Sequence, residues 1–212
     1  MLKRIDTLRY SYVRLLFVPL IFLSPLSASK DKAGLEIRAN AVGGSGRFMQ
    51  SIHTLDGENN TGNRQNVTSD LTNKGYSLLV GYGRNYYHRG QSSLLYIGYE
   101  NQKWNDKYDS IYHAFLMGIE GALGTPTVKF VYGGEFAFGA LDTGIDGLGY
   151  LSTFSAEPYI GLRLLTQNAF SLNLRLGARW YAIEDVVTPN VMRSENSAFI
   201  ANAQVGVGYS FY

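Results

Sequence analysis

Phe170 to Tyr181 reads "FSLNLRLGARWY". In it Phe170, Leu172, Leu174, Leu176, Ala178 and Trp180 alternate with Ser171, Asn173, Arg175, Gly177, Arg179 and Tyr181. Successive side chains of a β-strand point to opposite faces, so this alternation predicts a strand with one apolar and one polar face.

The same period recurs in seven other segments. Leu35, Ile37, Ala39 and Ala41 oppose Glu36, Arg38 and Asn40. Tyr76, Leu78, Val80 and Tyr82 oppose Ser77, Gly81 and Gly83. Leu95, Ile97 and Tyr99 oppose Tyr96, Gly98 and Glu100, and Phe115, Met117, Ile119 and Leu123 oppose Gly118 and Glu120. Val128, Phe130, Tyr132, Phe136 and Phe138 oppose Lys129, Val131, Gly133, Glu135 and Gly139, and Phe154, Ala156, Ile160, Leu162 and Leu164 oppose Glu157, Tyr159, Gly161 and Arg163. The last segment sets Phe199, Ala201, Ala203, Val205, Val207, Tyr209 and Phe211 against Asn202, Gln204, Gly206 and Gly208.

Eight strands need seven connections, and these alternate in length. Long ones are predicted at about 44–74, 103–110, 141–150 and 182–196, with short ones between them. That places all long connections on one end of an up-and-down meander. The composition agrees, with 24 Gly and 16 Tyr against 5 Pro and 17% charged residues, which favours strands and opposes disorder. There is no cysteine, which excludes disulfides and thiolate metal sites.

The first 29 residues read differently. Lys3, Arg4, Arg9 and Arg14 precede the apolar run "LLFVPLIFL" (Leu15 to Leu23), and Ser27 and Ser29 supply small residues for cleavage before Lys30. This is the pattern of a secretory signal peptide. Pro19 and the short run oppose a membrane-spanning helix, which needs about 20 apolar residues. Removing 1–29 takes four basic and one acidic residue, leaving 15 Lys+Arg against 16 Asp+Glu. The overall basicity thus vanishes from the mature chain, 30–212, and no nucleic-acid partner is expected.

Alternation does not say which face is outward, because a soluble barrel has the same period with its apolar face inside. Three features place the apolar face outward. Glycine on the polar face makes room inside a narrow barrel. Tyr76, Tyr82, Tyr99, Trp104, Tyr112, Tyr132, Trp180 and Tyr209 lie near strand ends, where aromatic girdles sit. The strands are also long enough to cross a bilayer at a tilt.

The chain end, "QVGVGYSFY", supplies a fourth. Gln204, Gly206, Tyr209 and Phe211 resemble the C-terminal assembly signal of bacterial outer-membrane barrels, shifted by one because Tyr212 follows. Together these features resemble the small eight-stranded outer-membrane barrels of the OmpA/OmpX type. The resemblance implies an all-β, antiparallel, transmembrane barrel exported to the outer membrane of a Gram-negative bacterium. It implies as partners outer-membrane lipid and lipopolysaccharide, the barrel assembly machinery, periplasmic chaperones, and a host or phage surface ligand at the outer loops.

With the polar face inward, Glu36, Arg38, Glu100, Glu120, Lys129, Glu135, Glu157, Arg163, Arg175 and Arg179 enter the lumen, where isolated charges are costly and must pair. A filled lumen with a structural or surface-interaction role is the leading expectation, because eight strands leave only enough width for side chains. A narrow, low-conductance channel is the first alternative.

The second alternative is a lipid A-modifying enzyme. His53, His88 and His113 are followed two residues on by Leu55, Gly90 and Phe115, so the His-x-Ser pair of the deacylase type is missing. The palmitoyltransferase type would take His53 as general base with Asp109 and Ser110. The protease type would take Asp142 with Asp146, or Glu184 with Asp185. Solvated loop acids explain these last residues, and no enzyme, cofactor or metal is expected.

Overall fold

The computed structural model describes residues 32–54, 63–86, 90–106, 109–143, 149–165, 169–188 and 191–211. The signal peptide expected at 1–29 lies outside them. The described residues form eight strands: β1 (Lys32–Thr54), β2 (Asn63–Tyr86), β3 (Gln91–Asn105), β4 (Ile111–Gly124), β5 (Val128–Asp142), β6 (Tyr150–Leu165), β7 (Phe170–Thr188) and β8 (Val191–Phe211). Each pairs antiparallel with the next, and β8 pairs with β1, closing the barrel.

The register fixes the shape. A hydrogen-bonded row runs from Asn40 through Ser77, Glu100, Ala114, Gly139, Thr153, Ile183 and Asn196, and returns to β1 at Gln50. The sheet is therefore staggered by ten residues per circuit. With ordinary strand spacings this gives a tilt of about 40° and a backbone radius of about 8 Å, an interior that side chains fill.

The outward face is apolar. Leu78, Leu95, Ile97, Phe136, Phe138, Ile160, Leu176, Val205 and Val207 are all exposed. Exposed apolar surface closing on itself as a band about 25 Å tall is stable only against lipid. Each strand pairs with both neighbours, so the sheet has no free edge, as a bilayer core demands, and the β6–β7 ladder skips only Glu157 and Pro158 between its Ala156 and Tyr159 pairs. This is the outer-membrane barrel architecture with its apolar face outward.

Two of the expected outer loops are corrected. Most of 44–74 is strand, with β1 and β2 paired from Gly44↔Asn73 up to Thr54↔Asn63. Most of 182–196 is strand as well, β7 reaching Thr188 and β8 starting at Val191, with register shifts between Ile183 and Thr188. By contrast, β3–β6 stop near the expected rims at 103–110 and 141–150.

The last β2–β3 pair is Thr72↔Asn105 and the last β6–β7 pair is Thr153↔Ile183. Beyond these rungs β7, β8, β1 and β2 continue as a four-stranded wall, roughly 15 Å above the opposite rim at strand rise and tilt.

Candidate functional site

All ten predicted lumen charges are buried inside the barrel. Five are carboxylates and five are cations, and they are organised around two centres. Near the end with the short turns, Glu120 on β4 accepts two parallel bonds from Arg38 (both 2.9 Å), one from Arg163, and one from Arg175 at 2.6 Å. Arg38 and Arg163 also pair with Glu36. Nearer the tall wall the arrangement is inverted: Arg179 on β7 is surrounded by Glu100, Glu135 and Glu157.

Arg175 joins the two centres. It lies 3.9 Å from Glu135, and its guanidinium stacks on Tyr159 (4.5 Å) and Tyr96 (5.4 Å). Tyr96 donates to Glu135 at 2.9 Å. Lys129 stands buried at the start of β5, by the short β4–β5 turn.

Two glycines shape this network. A Cβ at Gly177 would meet Glu157 Oε1 at 2.1 Å, and one at Gly118 would meet the Tyr96 ring and hydroxyl at 2.4 Å. Their missing side chains are the space that those partners occupy.

Above the charges the lumen is closed by apolar groups. Trp104, Tyr112 and Tyr181 are wholly buried and meet as a three-ring cluster, with centroids 4.9 to 5.8 Å apart. Leu71, Leu141, Ile183, Ala198 and Ile200 pack around them. Gln102 ties the cap to the charges: its Oε1 accepts from Trp104 Nε1 at 3.2 Å and from Asn73 at 2.7 Å, while its Nε2 donates to Glu100 at 2.7 Å.

This corrects the girdle reading of Trp104 and Tyr112, which point inward. They share the parity of Glu100 and Glu120 on their own strands, a signal present in the sequence. Tyr76, Tyr82, Tyr99, Tyr132, Trp180 and Tyr209 do face outward.

The alternative catalytic set lies partly outside the described residues. The side chain of His53 lies outside them, and its backbone pairs with Arg64 and Arg193. Asp109 and Ser110 sit at the β3–β4 hairpin, beyond β2. Ser110 donates its hydroxyl to Asp106 Oδ2 at 2.7 Å, and Asp109 faces Lys103 at 3.4 Å, which are the contacts of a tight turn. Among the protease-type candidates, Glu184 accepts from the Ser152 amide at 2.9 Å, and Asp146 lies outside the described residues.

At the chain end, Gln204 and Gly206 face the lumen and Tyr209 and Phe211 face outward. The Tyr209 ring lies 4.8 Å from Phe170 and 4.7 Å from Phe211, an aromatic row at the lower rim. Leu35↔Phe211 through Ala41↔Val205 closes the barrel along this segment.

No family model matches the chain, and no curated protein is significantly similar to it. Among solved structures, it is similar to Neisserial surface protein A, at 15% identity over 85% of this chain and 99% of that one, with a TM-score of 0.47. It is also similar to Ail, the attachment invasion locus protein of Yersinia pestis, at 12% identity over 84% and 99% of the two chains, with a TM-score of 0.40. The translocator domain of the autotransporter NalP from Neisseria meningitidis follows at 16% identity over 84% and 88%, with a TM-score of 0.27.

Proposed function

We propose that this protein is a non-catalytic surface protein of a Gram-negative outer membrane, a filled barrel that holds a β-wall above the bilayer for contact with extracellular ligands. The short turns and both strand ends of the closing seam face the periplasm. One observation carries this reading: the lumen holds a charge-balanced network beneath a buried aromatic cap, while β7, β8, β1 and β2 extend beyond the barrel rim. A structure spent on blocking its own interior and raising one side serves presentation rather than passage.

The segment containing Gln204, Gly206, Tyr209 and Phe211 is the mark read by the assembly machinery during insertion, after export by the signal peptide and passage with periplasmic chaperones. Lipid and lipopolysaccharide contact the outward face, and a host or phage ligand meets the wall. The channel alternative requires both the cap and the two charge centres to move aside. Purified protein in planar lipid bilayers is expected to give no discrete conductance steps. Steps that change when Arg175 is replaced would reject the filled-barrel reading.

A further inference from the structure

On the outward face of β2–β4, polar groups climb from the aromatic girdle in a fixed order. Tyr76 and Tyr99 pack at 6.5 Å between ring centroids, and Tyr99 lies 6.3 Å from the His113 ring. One rung higher, Tyr76 pairs with Asn101 and Asn101 with His113. The Tyr99 hydroxyl and the Asn101 amide both contact His113 Nδ1, at 2.6 and 2.9 Å. In the tautomer in which both donate to Nδ1, the ring proton sits on Nε2.

The next rung places Lys74 directly opposite Lys103. Both are exposed on the outward face. Two like charges opposite each other in an antiparallel pair repel, and sheets ordinarily avoid the arrangement. Here Asp109 offsets one of them, at 3.4 Å from Lys103. The pair stands about 5 Å above the Tyr76–Tyr99 girdle at ordinary rise and tilt, which is the headgroup level of the outer leaflet. Phosphate there would draw both ammonium groups together and accept from His113 Nε2.

We infer that Lys74, Lys103 and His113 form a binding site for the phosphate of a phosphorylated lipid headgroup in the outer leaflet. The site rests on the membrane assignment made above, and it is independent of whether the lumen conducts. The register sets the three donors on adjacent strands within two rungs of one another, which distinguishes the site from a diffuse basic rim. The tyrosines below orient the acyl chains that accompany the phosphate.

The test uses the full chain in nanodiscs of neutral lipid doped with either phosphorylated lipid A or its dephosphorylated form, with retained glycolipid counted by native mass spectrometry. The wild type is expected to retain the phosphorylated form about tenfold more, and K74Q/K103Q to bring the two near parity. Arg47→Gln, on β1 opposite Asp70, is expected to leave the preference unchanged. Equal retention of both lipids by the wild type, or a preference untouched in K74Q/K103Q, overturns the site. Free inorganic phosphate displacing the lipid at comparable affinity overturns the lipid assignment in favour of a free-anion site. A heat-dependent mobility shift on SDS gels confirms that each variant is a folded barrel, so loss of the site is read separately from loss of the membrane fold.

Discussion

Arg175 on β7 and Glu120 on β4 meet across the lumen at 2.6 Å, and through its 3.9 Å contact with Glu135 the same Arg175 links Glu120, held by three guanidiniums, to Arg179, held by three carboxylates. The two centres and Lys129 compensate one another, so the ten lumen charges sum to zero. Removing either hub strands several like charges, whereas removing the joint leaves both hubs mostly paired.

Arg179→Gln is therefore expected to cost more than Arg175→Gln. Leaving buried Glu100 and Glu157 without a cation, and Glu135 with Arg175 alone, should reduce stability by about 3–5 kcal/mol, and loss of Arg175 by less, because Glu120 keeps Arg38 and Arg163. Urea titration of the two variants in lipid vesicles checks this order. Equal midpoints would show that the charges do not act through these pairs.

Gly118→Val fills the space of the Tyr96 ring. It is expected to break the Tyr96–Glu135 hydrogen bond and destabilise the barrel by about 1–3 kcal/mol, the usual cost of overpacking. Gly149→Ala, where a Cβ meets nothing within 4 Å though φ is +69°, should cost about 1 kcal/mol. Denaturant midpoints of both variants make the comparison, and a Gly118→Val midpoint at or above that of Gly149→Ala would contradict it.

Single cysteines report the wall, since the chain has none of its own. Thr68→Cys, exposed on β2 above its last pairing with β3, should react on intact cells with a membrane-impermeant maleimide. Leu95→Cys on the lipid face and Ser210→Cys in the lumen should not. Labelling of Thr68→Cys only after the outer membrane is permeabilised would mean that the barrel is inserted the other way up.

The barrel was legible because alternation extends over whole strands, "QVGVGYSFY" included. The wall was not legible, for a physical reason. Within the bilayer the apolar residues point outward, but above it water lies outside, and the preference inverts. On β1 Phe48 and Ile52 take the inward parity with Gln50, while Ser45, Arg47 and Ser51 face out with Met49, so a fixed-phase reading stops at Gly43 although the strand runs on. Trp104 and Tyr112 follow the same inversion, since aromatic residues near the upper rim turn inward to cap the lumen. The ten charges were readable from parity, but their arrangement into two centres was not, because it depends on the stagger of ten residues that brings β4 and β7 into contact across the lumen.

The two tryptophans give the most direct test of an apolar exterior around a capped lumen. Trp104 is buried in the cap, whereas Trp180 is 45% exposed toward lipid. In vesicles containing brominated acyl chains, Trp180 fluorescence measured in a Trp104→Phe variant is expected to be strongly quenched. Trp104 fluorescence measured in a Trp180→Phe variant should be little affected by brominated lipid or by aqueous iodide. Quenching of Trp104 by lipid with Trp180 protected would contradict the sidedness of the barrel, and ready quenching of Trp104 by iodide would contradict its closure.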